Sequence, residues 1–306
     1  MAIRIFGGNG SDKKHGRLHG KVAIVTGAGT GIGEAIAHKF ARECARVVVC
    51  GLPDDPIEDV AKTIRDNGGE AVAFGGDISE EHSARECVDL AIKKFKRIDV
   101  LVNNAGVFLD NAMTEDYPIA DFDETIRMNI RSAFMMTRFV LPHLQKSRGN
   151  IISAGSESGM IGLAQNTPYG GTKGWMHAFM RGVAVEQAKN GVRANCVCPG
   201  PIDTAWTHKE TGPMDKEMEK GLIQAVPLAR RGTPGRGSKR LRVSGVGRSE
   251  LYHRRSLRGG WRNDHREREG GRSGAAKIAQ RTEGRAGVGT FARRFAQQKN
   301  APDQAG

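Results

Sequence analysis

The 306-residue sequence lacks several features that would assign it to whole classes of protein. No apolar run approaches 18 residues, which excludes a transmembrane helix, and the first twenty residues lack the apolar stretch of a secretory signal. Cysteine is scarce, with five residues and neither CxxC nor zinc-finger spacing. Because HExxH and clustered carboxylates are also absent, we expect no metal site. We expect reduced, mostly buried thiols in a cytoplasmic protein without a membrane partner.

The net charge of +13 is distributed unevenly along the chain. Residues 1–234 hold 29 Lys and Arg against 28 Asp and Glu, a net charge of +1. Residues 235–306 hold 18 against 6, a net charge of +12. The basic character that would suggest nucleic acid therefore belongs to the last quarter of the chain alone.

Strand and helix patterns alternate through residues 21–200. Short apolar runs such as Val22–Thr26 are typical of strands buried on both faces, and helix-periodic segments follow them. The predicted strands are 22–26, 46–50, 71–74, 100–103, 150–153 and 193–198, and the predicted helices are 31–42, 57–66, 80–95, 123–144 and 172–189. The alternation predicts an α/β fold, a Rossmann-type doubly wound parallel sheet. A polar segment at 203–225 interrupts the alternation where a lid is expected.

A glycine-rich turn, Thr26–Gly33 with the sequence TGAGTGIG, joins the first predicted strand to the first predicted helix. Glycines allow the backbone to approach a pyrophosphate closely. The free N–H groups and the dipole at the N-terminus of the helix favour an anion. This context predicts a dinucleotide-binding site.

The acidic residue that would bind the adenosine ribose is absent directly after the second predicted strand. That strand runs into Cys50-Gly51-Leu52-Pro53, with Asp54 and Asp55 just beyond. The segment has no Arg or Lys to pair with a 2′-phosphate. Because the two acids disfavour that phosphate, the pattern favours NAD, and NADP stays open.

Tyr169 and Lys173 are four residues apart at the start of a predicted helix, so they share one face, one turn apart. A neighbouring ammonium favours the phenolate form, which makes a phenol a usable acid/base. Ser156 lies 13 residues before the tyrosine, after the fifth predicted strand. The pair alone could also be two surface residues of a helix. Ser158 is an alternative to Ser156 that this 13-residue gap disfavours.

With these motifs in place, the chain resembles the classical short-chain dehydrogenase/reductase family over roughly residues 18–234. The matching motifs, in the order and spacing of the family, are TGAGTGIG (26–33), Asp77, NNAG (103–106), Asn129, Ser156, YGGTK (169–173) and PGPIDT (199–204). The resemblance implies an NAD(P)-dependent enzyme that interconverts a small-molecule alcohol and ketone. It also implies a homodimer or homotetramer.

The resemblance implies catalytic roles for four residues. Tyr169 is the expected general acid/base, and Ser156 the expected hydrogen-bond partner of the substrate oxygen. Lys173 is expected to hold the nicotinamide ribose and to favour the phenolate. Asn129 is expected to keep a water in a proton relay, with an ordinary helix-interior residue as the alternative.

The resemblance also implies a set of cofactor contacts. Asp77 is expected to bind the adenine amino group, unless it merely caps the following helix, and Asn103 is expected near the adjoining ribose. The complete implied set is Gly27, Thr30, Gly31, Ile32, Gly33, Asp77, Ile78, Asn103, Ala105, Gly106, Tyr169, Lys173, Pro199, Gly200, Ile202 and Thr204.

The chain departs from the family pattern at Gly235. The 72 residues from there on contain 15 Arg, 13 Gly and only 9 Leu, Ile, Val or Phe, a composition typical of disorder. We therefore expect a flexible extension at 1–17, a catalytic domain at 18–234 and a disordered tail at 235–306, without the last helix and strand of the family. Reading a plausible coding sequence one base later restores the family's usual ending. This suggests one inserted base near codons 234–235, and the alternative is an evolved basic tail.

Two other functional classes stay open at this point. One is a binding protein with a vestigial dehydrogenase domain, inactive because its last elements are gone. The other is a nucleic-acid binder that uses the Arg-rich tail, although the sparse aromatic residues of the tail argue against a stacking surface. The intact Ser156, Tyr169 and Lys173 favour the enzyme.

Overall fold

The computed structural model describes residues 16–202, 220, 223 and 230–234 of the chain. Thr204, most of the predicted lid at 203–225, the tail from Gly235 and nearly all of the N-terminal extension lie outside the described residues. The expectations for those segments therefore stay predictions.

Six parallel strands form one sheet in the order β3-β2-β1-β4-β5-β6. The strands are β1 (Val22–Thr26), β2 (Arg46–Gly51), β3 (Glu70–Gly75), β4 (Val100–Asn103), β5 (Asn150–Ala154) and β6 (Arg193–Val197). The strand order reverses between β1 and β4, and doubly wound sheets bind their ligands at the carboxyl ends of the strands beside such a switch point. The predicted Rossmann-type sheet is confirmed.

Helices cover both faces of the sheet. They are α1 (Gly31–Arg42), α2 (Ile57–Asp66), α3 (Glu81–Phe95), α4 (Ile119–Ile126), α5 (Ser132–Ser147) and α6 (Thr167–Gln187). A π-helical turn, Arg127–Arg131, joins α4 to α5 without a break. The long helix predicted at 123–144 is therefore present, with this turn inside it. In the described part of the chain, no helix is long and apolar enough to cross a membrane.

The core consists of two apolar layers, one on each face of the sheet. Along β1, Ala23 and Val25 face one layer, while Val22 and Ile24 face the other. All five residues of β1 are buried, which explains why the strand reads as a continuous apolar run. All five cysteines lie in the described part of the chain, and none of them forms a disulfide there.

A buried carboxylate, Asp99, clamps the starts of the two strands at the switch point. Its side chain is 3% exposed and accepts hydrogen bonds from Val22 N–H (3.0 Å), Arg97 Nε (2.8 Å) and Lys21 Nζ (3.2 Å). Burial alone would raise the pKa of Asp99, but these hydrogen bonds outweigh it and hold the pKa below its ordinary value. The clamp fixes β1 against β4, whose opposite ends carry the site.

Candidate active site

The glycine-rich turn after β1 forms a tight cradle at the N-terminus of α1. Gly27 and Gly31 have φ of 58° and 61°, in the left-handed region that favours glycine. A Cβ atom on Gly33 would lie 2.0 Å from the carbonyl oxygen of Gly27. The Thr30 side chain makes no capping hydrogen bond, so it leaves the N–H groups of the first turn to a ligand. These features fit a pyrophosphate.

The side chains of Asn104 and Thr26 brace this cradle. Asn104 Nδ2 donates to the carbonyl oxygens of Thr26 (3.1 Å) and Gly27 (3.0 Å). Thr26 Oγ1 accepts from the N–H groups of Asn104 and Ala105, both at 3.0 Å. The loops after β1 and β4 are therefore one hydrogen-bonded unit. The sequence prediction did not assign Asn104 a role, although the second asparagine of NNAG carried the signal.

The Asn103 side chain points into the core, which differs from the expectation of a ribose contact. It is 3% exposed, and its Nδ2 donates to Thr137 Oγ1 (3.0 Å) and Ser153 Oγ (3.4 Å). These bonds connect β4 to α5 and β5. The amide of Asn103 therefore supports the frame of the site, and a ribose contact could come only from its backbone.

At the carboxyl end of β3, Asp77 takes part in an ionic cluster. Its carboxylate binds the Arg127 guanidinium and accepts from Ser79 N–H (2.9 Å), while Arg127 also donates to both carboxylate oxygens of Glu124, each at 2.7 Å. Burial would raise the pKa of Asp77, but the hydrogen bonds from Ser79 and Arg127 lower it below its ordinary value. The ionised carboxylate is an acceptor that fits an amino group. Its neighbour Ile78 is buried.

The predicted catalytic lysine is buried beside the predicted tyrosine. Lys173 is 5% exposed, and its Nζ donates to the carbonyl oxygen of Ala154 (3.1 Å) at the end of β5. The same Nζ lies 5.3 Å from the centre of the Tyr169 ring. The ring packs edge-on against Phe108, with 5.3 Å between the centroids. The structure thus fixes an ammonium between the end of β5 and the phenol.

The loop after β5 that carries Ser156 and Ser158, here called the serine loop, packs backbone to backbone against α6. Ser156 Oγ accepts from Ser158 N–H (3.2 Å) at the start of a short 3₁₀ turn. A Cβ on Gly159 would lie 2.6 Å from the backbone nitrogen of Gly174, and one on Gly170 would lie 2.8 Å from Ser158 O. This close approach holds the serine loop against the two turns of α6 that carry the tyrosine and the lysine.

Asn129 lies in the π-helical turn and is 1% exposed. Its Oδ1 accepts from Val107 N–H (2.6 Å), and its Nδ2 donates to Val107 O (2.9 Å) and to Thr172 Oγ1 (3.1 Å). A Cβ on Gly106 would lie 2.9 Å from Asn129 Oδ1 and 3.4 Å from Lys173 Nζ. The side chain of Asn129 therefore connects the loop after β4 to α6 directly beside the lysine.

The segment after β6 completes the edge of the site. Pro199 O accepts from Glu157 N–H (3.1 Å), and a Cβ on Gly200 would lie 3.1 Å from Glu157 Oε2. Ile202 pairs with Gly232 in a parallel bridge. Of the predicted nicotinamide-side residues, Pro199 and Gly200 thus lie against the serine loop, and Ile202 lies against Gly232.

Comparison with known proteins agrees with a dinucleotide-binding site. The family model described as short chain dehydrogenase matches residues 21–214. The uncharacterized oxidoreductase YxbG of Bacillus subtilis is 35% identical over 223 residues, which are 72% of this chain and 82% of the relative. L-fucose dehydrogenase of Bos taurus is 35% identical over 221 residues, which are 71% of this chain and 80% of the relative.

A solved structure with a bound dinucleotide also superposes on the chain. It is 3-ketoacyl-(acyl-carrier-protein) reductase from Brucella melitensis complexed with NADH, with a TM-score of 0.70 and 28% identity. The superposition covers 76% of this chain and 94% of that one. Together with the extent of the family match, this similarity leaves one assignment: the chain is an NAD(P)-dependent oxidoreductase and belongs to the short-chain dehydrogenase/reductase family.

Proposed function

We propose that the protein interconverts a small-molecule alcohol and its ketone, with Tyr169 as the general acid/base. The supporting observation is the buried Lys173, whose ammonium lies beside the Tyr169 ring and bonds to Ala154 O, two residues before Ser156. A buried lysine is costly unless it is paired or used. Its position beside the Tyr169 ring gives it a use in the proposed acid/base chemistry.

In this proposal, each of the four predicted catalytic residues has a separate role. Bound NAD(P) supplies or accepts the hydride. During reduction, the Tyr169 hydroxyl donates its proton to the carbonyl oxygen and becomes a phenolate, and during oxidation the phenolate takes the proton of the alcohol. Ser156 Oγ hydrogen-bonds that oxygen and holds it at the tyrosine. Lys173 holds its positive charge beside the tyrosine. Asn129 positions the part of α6 that carries Tyr169 and Lys173.

The proposed cofactor contacts follow the carboxyl edge of the sheet. The N–H groups of Gly31, Ile32 and Gly33, in the first turn of α1, hold the pyrophosphate. Asp77 accepts from the adenine amino group. The remaining contacts are made by Gly27, Thr30, Ile78, Ala105, Gly106 and the loop after β6.

We also propose that the protein prefers NAD to NADP, and Asp55 carries this proposal. Its carboxylate accepts from Leu52 N–H (2.8 Å). A Cβ on Gly29 would lie 2.9 Å from Asp55 Cβ, so the acid lies against the glycine-rich turn, where the acidic residue of NAD-binding folds binds the ribose diol. A 2′-phosphate there would meet a negative charge with no Lys or Arg between residues 51 and 56.

The test of the catalytic proposal is Tyr169→Phe. L-fucose and a 3-ketoacyl thioester are the first substrates to assay, because proteins similar to this chain bear those names. We expect kcat to fall by about 10²–10⁴-fold with unchanged NADH binding. Tyr117→Phe removes a phenolic oxygen that is buried without a hydrogen-bond partner, and it should leave kcat near wild type. Near-normal kcat in Tyr169→Phe would reject the proposal.

We further propose a cytoplasmic homodimer or homotetramer. Exposed apolar side chains on α5 and α6 support self-association, among them Phe134 (41% exposed) and Val185 (62% exposed). The cytoplasmic location rests on the absence of disulfides among the five cysteines, which all lie in described segments. Light scattering of the purified chain tests the assembly, and a monomer at micromolar concentration would contradict it.

A further inference from the structure

Three potential metal ligands meet directly behind the serine loop. Cys196 and Cys198 are alternate residues at the end of β6, and His177 lies one turn beyond Lys173 on α6. One ligand atom from each residue lies within 4.8 Å of the other two. Cys198 Sγ is 3.0 Å from His177 Nε2. The sequence prediction missed this cluster because the histidine comes from a different element, and only the fold brings it to the cysteines.

The Gly155 backbone packs directly against two of these three side chains. A Cβ atom on Gly155 would lie 2.5 Å from His177 Nε2 and 2.8 Å from Cys196 Sγ. Glycine at this position therefore allows the imidazole and the Cys196 thiol to approach the same stretch of backbone. Gly155 is also hydrogen-bonded to β6 through its N–H and Val197 O (2.8 Å), which fixes this side of the cluster.

The ligand chemistry suits a thiophilic cation. Zinc binds thiolate sulfur at ~2.3 Å and imidazole nitrogen at ~2.0–2.1 Å in tetrahedral geometry, so its ligand atoms lie about 3.3–3.8 Å apart. The observed separations all lie within 4.8 Å and need to change by about 1 Å at most. The 3.0 Å between Cys198 Sγ and His177 Nε2 must open slightly and the longer separations must close, within the reach of χ1 rotations. Two sulfur ligands and one imidazole select soft or borderline ions over magnesium and calcium.

The charges around the cluster are compatible with such an ion. The hydrogen bond from Cys196 lowers the pKa of the Cys198 thiol to about 7, and the same bond and burial raise the pKa of Cys196, so the two thiols share one proton that a bound ion would displace. Burial lowers the pKa of His177, which favours the neutral imidazole that metals require. Two thiolates neutralise a divalent cation, so the nearby Lys173 ammonium does not face a net positive centre.

We propose that His177, Cys196 and Cys198 form a binding site for one zinc-class divalent cation, with the fourth coordination position open. The site lies outside the proposed catalytic residues and does not depend on their function. Gly155, which packs against His177 and Cys196, directly precedes Ser156 in the chain.

The test uses the full-length chain, reduced and treated with EDTA, and titrates it with Cd²⁺. We expect one equivalent of ion to bind with an ultraviolet cadmium–thiolate charge-transfer band, and Zn²⁺ to displace it. Cys198→Ser and His177→Ala should each weaken binding by more than about tenfold, since even outer-shell changes cost 10–100-fold. Cys44→Ser is the matched control, because Cys44 precedes β2, four strands away from β6 at the other end of the strands.

Circular dichroism on each variant separates loss of ligand from loss of fold. If Cys198→Ser does not fold, Cys196→Ser and His177→Gln supply the same comparison. The proposal is overturned if the wild type shows no charge-transfer band. It is also overturned if His177→Ala binds Cd²⁺ as tightly as wild type, or if Cys198→Ser and Cys44→Ser titrate alike.

Discussion

Gly33→Ala tests whether the glycine-rich turn needs glycine at this position for steric reasons. The steric cost of the new Cβ is compared with the gain in helix propensity that alanine brings elsewhere. In an exposed helix, alanine is favoured over glycine by about 1 kcal/mol. At Gly33 the new Cβ would lie 2.0 Å from Gly27 O and 2.7 Å from Asn104 Nδ2, whereas real contacts essentially never fall below 3.0 Å. The turn must therefore open by about 1 Å. Overpacking of this kind costs about 1–3 kcal/mol, which exceeds the gain in helix propensity.

The displacement also moves the N–H groups that we propose bind the pyrophosphate. A hydrogen bond to a charged group contributes about 1.5–3 kcal/mol, so losing one of them weakens binding about 10- to 150-fold. We expect this loss in the Kd for NADH, measured by fluorescence, together with a lower midpoint of urea unfolding. Gly182→Ala is the control, because nothing lies within 4 Å of its Cβ, and it should stabilise the chain without changing the Kd. If Gly33→Ala behaves like this control, the cradle argument is refuted.

Three further substitutions test other parts of the structure. Asp55→Asn should lower the ratio of the Kd for NADPH to that for NADH by about tenfold, since it removes a charge at the proposed ribose position, and an unchanged ratio in a fluorescence titration would contradict this. Asp99→Asn should lower the free energy of unfolding by about 2–3 kcal/mol at pH 7. Because the folded-state pKa of Asp99 is depressed, its contribution to stability is present above the unfolded pKa of ~3.9 and is lost as the pH falls through the folded pKa. In urea unfolding, the difference in free energy between wild type and Asp99→Asn should therefore shrink below about pH 4. A difference that stays constant down to about pH 3 would contradict the linkage. Gly170→Ala places a Cβ 2.8 Å from Ser158 O and should lower kcat, whereas Gly171→Ala, with nothing within 4 Å, should leave kcat unchanged; equal values would contradict the proposed packing.

The sequence predicted the sheet well where strands are buried on both faces. The predicted bounds of β1 and β4 agree with the structure, because both strands are continuous apolar runs that end at the site motifs. The start of α6 was predicted five residues late, at Thr172 in place of Thr167. The pair Gly170-Gly171 is typical of a helix break, but the close approach of the serine loop, visible only in three dimensions, requires glycine at 170.

Side-chain direction was harder to predict than chain position. The four-residue spacing of Tyr169 and Lys173 predicted that they share one face of a helix, one turn apart, and both residues lie on α6. The adjacent asparagines after β4 diverge, however. Asn103 turns into the core and Asn104 turns to the glycine cradle, because successive strand residues point to opposite faces. The motif match assigned a ligand contact to Asn103, and only the structure shows the directions of the two side chains.

The π-helical turn imposes a length constraint on the chain. Each helical residue adds about 100° of rotation, so the extra residue in this turn changes the phase of α4 relative to α5. Helix α5 buries Met136, Val140 and Leu144 at four-residue intervals, whereas α4 keeps only Thr125 buried. Deleting one residue between 127 and 131 would make the helix regular and rotate α4 away from its packing. Substitutions in this turn alter single contacts. A one-residue deletion would instead rotate the whole segment from Ile119 to Asn129 relative to α5.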